Sequence, residues 1–564
     1  MASGSVGPTE PATATGQAAR PTPSVVADPV AQGDRAASAG PLPHGASTAA
    51  VPVVAEVPLT RSSAEARQAV ARLVERHGEA HRSRIERGVG QVADRWYRSD
   101  GDLVGFALDH YAASPEERDR LFERMQAALE AIDGLGQETE RALRWNVDVD
   151  TGPVAAVDGL LSSVDAHAQV NAQLFTQKVA FAVLLNMALL EAHERDAAAH
   201  AGPLTRRQWA EAQLAARFEH RIPGQLVAAA HAAEAAADQY VADYNLWMHH
   251  VLGPNGERWF PLGQRLISHW NLRDEIKAQY ANADGLAKQR LLATVMQRIV
   301  RQDVPADVVD NPRVDWRPSD NRTAPTPANY LEPDAPAAPP ARVSRYQFIV
   351  DHFTAARAID AVSPDLPSLP ARAFASAGLP EHRVRQLLHE VLASPLIADA
   401  ARQASARLGR RLEPHDLWFE FASPSVAETE LDAVTARRYP NAAAFARDLP
   451  RIFRQLGFSK REASRLAAAI KVDPSRGAGH AMGIARRGDH PHLRTRIAAG
   501  GMDYKGYNIA IHELGHNVEQ FYSMNDIDYT LLYGVPSSAF TEAMAFLFQA
   551  RDLELLGRPS ANGK

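Results

Sequence analysis

Three residues in the stretch DYKGYNIAIHELGHNVEQFYS (503–523) have types and spacing that can do chemistry: His512, Glu513 and His516, in the order His-Glu-x-x-His. On a helix, positions four apart stack on one face about 6 Å from each other. His512 and His516 can therefore present two imidazole nitrogens to one ion. Glu513 is turned by about 100° from His512, beside the ion and not on it. A carboxylate placed there can take a proton from water held by the ion, which is the division of labour in zinc peptidases. Ile511, Leu514, Val518 and Phe521 give the other side of the segment an apolar face, so a helix is the expected local structure. The bland alternative is polar residues sharing a solvated helix face. With 21 histidines in 564 residues, the pattern arises by chance in roughly one such chain in twenty.

A third ligand is offered downstream. VPSSAFTEAMAFLFQARDLELLG reads as a helix starting at Val535 with Ser537 or Ser538 as its cap and stopping at Gly557, with Pro559 beyond. Glu542 lies near its start among Ala539, Phe540, Ala543, Met544 and Phe546. A carboxylate in such surroundings needs a partner, and a metal is one. The competing reading is an N-terminal glutamate favoured by the helix dipole. His512, His516 and Glu542 plus water make the four-coordinate open site that catalytic zinc requires.

These helices belong to a chain of 564 residues with a formal net charge of −6 and 23% charged residues. Without a basic excess, nucleic-acid binding is not expected. With no cysteine, disulfides, thiolate metal sites and cysteine catalysis are excluded, so a metal must rest on His, Asp and Glu. Low aromatic content and abundant alanine favour a mainly α fold. The longest apolar run, Val179 to Leu190, is too short to span a bilayer and reads as a buried helix.

Residues 1–58 are an Ala/Pro-rich leader with almost no large apolar side chains, expected to be disordered. Residues 59–305 carry helical periodicity almost throughout and form an expected N-terminal helical lobe. Eight prolines between 310 and 344 forbid a long helix, so 306–345 reads as a linker or an extended strap. Residues 346–564 form the expected catalytic lobe, in which HLRTRI (492–497) is the best candidate for a short strand.

The similarity extends beyond the motif. LEPHDLWFEF (412–421), ELDAVTARRYPN (430–441), LGFS (456–459), VDPSRGAGHAMG (472–483), HLRTRI, GMDYKGYNIAIHELGHNVEQ (501–520) and GVPSSAFTEAMAF (534–546) resemble a bacterial branch of the thimet oligopeptidase and oligopeptidase F group of gluzincin peptidases. The angiotensin-converting enzymes are more distant relatives. The resemblance covers roughly residues 345–557. It implies a mainly helical fold with two lobes around a deep narrow cleft, a small β element near the zinc helix, and oligopeptide substrates. It also implies one Zn2+ per chain on His512, His516 and Glu542, with Glu513 as general base and proton shuttle. His480 and Ala481, 32 residues before the first ligand, match a His-Ala pair that holds the substrate backbone on an edge strand in the converting-enzyme branch. A loop histidine in a Gly-rich turn is the alternative. Tyr504 and Tyr507, with His490, His492, Arg494 and Arg496, fall in the same region as candidates to line the cleft, or to serve surface or core packing.

The chain departs from the family in two places. Family members continue well past the third ligand and carry there a Tyr and a His that donate to the tetrahedral intermediate, whereas this sequence has 22 residues after Glu542. A longer parent protein, a separate chain or upstream donors would supply them. Losing one such donor costs about 100- to 1000-fold in rate, so the alternative to a peptidase is a zinc-holding, catalytically weak protein that binds peptides or a partner. Phe546 also stands where many gluzincins have the acidic residue that orients a ligand histidine, with Glu519 as a candidate substitute. The leader favours the periplasm or envelope, while the family's best-known members are often cytosolic.

Overall fold

The computed structural model describes residues 56–558 except 153–154, 191–203, 268–270, 283–284, 332–344, 363–367, 369–373, 375–379, 420–427, 477–478, 498–499 and 534–537. Nearly all of the expected leader, residues 332–344 of the expected strap and the candidate cap Ser537 lie outside these residues. The fold is mainly α, with 21 α-helices and three small sheets among the described residues. No described helix is long and apolar enough to cross a membrane. The apolar run at Val179 forms the helix Val179–Asn186, and Phe181, Val183 and Leu184 are fully buried.

Local rules account for the main helices. Ser63 caps Ala64–His77 by accepting from the Ala66 N–H, and Ser114 opens Pro115–Leu143 with a reciprocal Ser–Glu117 capping box. The faces these helices bury assemble into three hydrophobic clusters. One gathers Ala66 to Phe218, a second Tyr244 to Trp316, and the third Tyr439 to Leu556. The stretch expected as one N-terminal lobe thus holds two cores, because periodicity gives each helix an apolar face without saying which faces meet. The first half of the expected strap is folded. Val314–Arg317 pairs antiparallel with Arg322–Pro325, Asn321 makes the turn at φ 60°, and Trp316 is fully buried.

The third cluster carries the His-Glu-x-x-His segment. Its sheet has the order Lys471–Pro474, His492–Thr495, His480–Met482, with the first pair parallel and the second antiparallel. Leu493 of the central strand points into the core, and Thr495 is equally buried. Residues of the opposite face meet the N-terminal part of the chain: Arg494 Nη1 donates to Asp148 Oδ2 at 2.6 Å, and Val149 bridges Ser475.

The segment 410–418 is tied to the second cluster through a buried carboxylate. Arg410 donates to both oxygens of Asp416 at 2.6 and 2.7 Å, and the Tyr280 hydroxyl donates to Oδ1 at 2.7 Å. Burial alone pushes the Asp416 carboxyl up, but Arg410, the Glu413 N–H and Tyr280 outweigh it and hold it at about 2. A pKa depressed in the folded state gives stability that is full above the ordinary value of 3.8 and is lost as pH falls through about 2. Thermal melts should therefore lose stability between about pH 4 and pH 2, and Asp416→Asn should flatten that acid slope while lowering stability at pH 7. An unchanged slope in the variant would refute this account.

Candidate metal centre

The motif helix runs from Tyr504 to Asn525, capped by Asp503, whose side chain accepts from the Gly506 N–H. Ile511, Leu514 and Val518 are fully buried and Phe521 nearly so, which fixes the helix rotation and turns His512 and His516 to the opposite side. The second helix, Ser538–Gln549, buries Ala545 and Phe548. It ends at Gln549, earlier than Gly557, and a separate turn, Asp552–Leu555, follows. The break lets Asp552 fold back toward the motif helix, where its carboxylate is engaged by Tyr504 and Asn508.

The two helices touch at the glycine inside the motif. A Cβ on Gly515 would lie 2.6 Å from Ala545 Cα and 3.1 Å from the Met544 carbonyl oxygen. Only hydrogen at this position permits so close an approach of two backbones. The approach brings Glu542, one turn before Ala545, over the two histidines. His512 Nε2 is 3.3 Å from one Glu542 oxygen and His516 Nε2 is 3.6 Å from the other. One ligand atom from each residue falls within 4.8 Å of the others.

These separations fit a shared ion. Ligands about 2.0–2.1 Å from a tetrahedral metal stand about 3.3–3.4 Å from one another. The alternative, imidazolium–carboxylate ion pairs, needs protonated histidines. Burial pushes His516 down, and His512 lowers it further, against the pull of Glu542. A neutral imidazole is the form that binds a metal, and the downward shift of His516 favours that form.

Sequence reasoning missed how His512 is oriented. Its Nδ1 lies 2.9 Å from Gln549 Oε1, an acceptor, so Nδ1 carries the proton and Nε2 keeps its lone pair toward Glu542. Gln549 Nε2 donates to Asn508 Oδ1 at 2.6 Å, and Asn508 Nδ2 donates to Asp552 Oδ2 at 2.7 Å. The chain of bonds ends on a buried carboxylate that also accepts from the Tyr504 hydroxyl. Glu519, expected as the orienting group, instead accepts from the Ser523 hydroxyl one turn on, and burial raises its pKa. A signal was present: Tyr504, Asn508, His512 and His516 recur every four residues, and Gln549 lies two turns after Glu542.

Glu513 falls on another side of the helix, shared by Ile509, His516 and Gln520. The edge strand passes along this side. A Cβ on Gly479 would sit 2.8 Å from Ile509 Cγ2, and one on Gly483 would sit 3.3 Å from Gln520 Cδ. Between these two contacts lie His480 and Ala481, on the edge strand of the sheet and not in a Gly-rich loop. Beneath them His480 Nε2 is 3.3 Å from Arg494 Nη1.

Most of the other candidates for the cleft are engaged within the fold. Tyr507 is fully buried, stacks on Tyr439 at 5.6 Å and donates to the Asp552 carbonyl, so it has no surface to offer a substrate. Tyr504 holds Asp552. Arg494, 1% exposed, pairs with Asp148; His492 pairs with Asp473, and His490 contacts the Ala469 carbonyl. Burial lowers the pKa of Arg496. For Tyr504, Tyr507 and Arg494 the neighbours that claim these polar groups come from distant parts of the chain, beyond the reach of local spacing.

Two outcomes follow. Gln549→Ala should weaken zinc binding by about 10- to 100-fold in a chelator competition titration; unchanged affinity would remove Gln549 from the orienting role. Gly515→Ala should destabilise the protein by about 1–3 kcal/mol despite its gain in helix propensity, because the new methyl meets backbone that cannot give way. Denaturant unfolding measures it.

No family model, curated protein sequence or solved structure matches the chain.

Proposed function

We propose that the protein is a zinc-dependent peptidase acting on oligopeptides. The observation that carries this reading is the convergence of His512, His516 and Glu542, with one donor atom from each within 4.8 Å of the others, and Glu513 on the neighbouring side of the same helix. A zinc ion held there would supply a Lewis acid that lowers the pKa of water toward neutrality and polarises a carbonyl. His512 and His516 serve as neutral nitrogen ligands, and Gln549 keeps His512 in the tautomer this requires. Glu513 takes a proton from the attacking water and delivers it to the leaving amine. The edge strand His480–Met482 offers its main chain to an extended peptide, the usual way a strand edge binds a polypeptide.

A second reading is peptide binding with weak turnover. It is favoured by the hydroxyls of Tyr504 and Tyr507, which are spent on Asp552 and are not poised to donate to an oxyanion.

One experiment separates the two. A mixed peptide pool is incubated with zinc-loaded wild type and with Glu513→Gln, and fragments are identified by mass spectrometry. The hydrolase reading expects cleavage by wild type, a loss of at least about a hundredfold in the variant, and equal zinc content in both. Retained zinc with no cleavage by wild type would leave the binding reading in place.

A further inference from the structure

The motif helix carries a further carboxylate on the side that bears the candidate ligands. Glu519 follows His516 by three residues and His512 by seven. That spacing returns it to within about 20° of His512 and sets it about 4.5 Å beyond His516 along the helix axis. Its side chain is half-buried. One oxygen accepts from the Ser523 hydroxyl, and among the described residues no cation meets the group. Burial accordingly raises its pKa, with only Ser523 opposing. The two arginines just past the edge strand are engaged elsewhere: Arg486 pairs with Asp489 and Glu138, and Arg487 donates to the carbonyls of Met524 and Ile527. A carboxylate drawn partly out of water without a cation is costly, and a positively charged ligand would offset that cost.

The edge strand leads to this carboxylate. A Cβ on Gly483, the residue after the strand, would lie 3.1 Å from the Tyr533 hydroxyl and 3.3 Å from Gln520 Cδ. That hydroxyl hydrogen-bonds the Ile484 backbone, and Glu519 lies close enough to raise its pKa. Gly479 at the other end of the strand meets Ile509. Strand and helix thus run side by side from Ile509 to Gln520, past His512 and His516, with Glu519 at the far end of the track. A peptide extended along the strand advances about 3.3 Å per residue, so it reaches Glu519 about two residues from a bond held at the ligands.

We infer that Glu519 determines specificity by receiving a cationic group of the bound peptide, an α-ammonium or a basic side chain, about two residues from the scissile bond. The inference rests on the peptidase reading for its mention of a scissile bond. Recognition of positive charge is a statement about binding and is tested separately from turnover.

The test uses the full chain with zinc and Glu513→Gln, so that peptide is bound without being consumed. Acetylated, amidated Gly/Ala hexapeptides with lysine at each position in turn are titrated by calorimetry, each beside its acetyl-lysine counterpart. An unacetylated Gly/Ala hexapeptide amide presents the free amino terminus as its only charge. One lysine position, or the free terminus, should bind about five- to thirtyfold tighter than its uncharged counterpart, and the arm that responds identifies the group being read. Glu519→Gln should reduce that ratio to about twofold or less. Glu519→Lys should invert it in favour of a peptide with glutamate at the same place, while zinc content and helicity stay the same. Equal binding of charged and uncharged peptides, no binding of any peptide, or a preference that survives both variants overturns the assignment. The first comparison needs no change at Glu519 and stands even if a variant fails to fold. Cleavage by wild type is scored independently: charge preference without cleavage keeps Glu519 in this role and sinks the peptidase, and cleavage without charge preference does the reverse.

Discussion

The contact between Gly515 and Ala545 is the constraint on which the candidate site depends. Two histidines on one helix turn are a common and inert arrangement. They become a three-point donor set only because a second helix approaches closely enough to lay Glu542 across them, and that approach leaves no room for a methyl group on the motif helix. The glycine lies between the two histidines in sequence, so one short segment carries both candidate ligands and the gap that admits the third.

The approach is held from outside as well. The loop joining the two helices does not float over the third core but is anchored in the first. Leu532 is buried there, Tyr529 packs edge-on against Phe122, and Arg207 lies over the Phe122 ring at 3.7 Å. Arg206 pairs with Asp528 alongside. The described part of the path from the motif helix toward the glutamate helix thus packs on a core built from residues 66–218. The N-terminal helices, whose sequence carries no chemistry, act as the clamp on the segment that follows the motif helix.

A second clamp works on the sheet. Gln137 of the long helix Pro115–Leu143 donates to the Gly483 carbonyl just beyond the edge strand, and Glu130 accepts from the Arg487 N–H. Asp148 neutralises Arg494 behind the same strand. The edge strand is therefore positioned from both ends against the face of the motif helix that bears Glu513. Loss of packing in the N-terminal part would disturb the candidate site without touching a ligand.

The sequence by itself determined the helical class, the motif helix with its buried Ile511, Leu514 and Val518, the strand at His492, and the three candidate ligands. Each of these is a local pattern: a 3.6-residue period, a cap, or a spacing of four along one helix. What it left open was every relation between segments far apart in the chain. The N-terminal helices divided into two cores, part of the Pro-rich strap became a hairpin around Trp316, and Tyr507 and Arg494 went into the interior. Gln549 took the orienting place expected of Glu519. Spacing tells which residues share a face, but which face meets which is decided by burial and by hydrogen-bond satisfaction summed over the whole molecule. Only the tertiary structure could show that Glu542 reaches His512 and His516, because that meeting depends on a glycine, a loop and a core that lie in three separate parts of the chain.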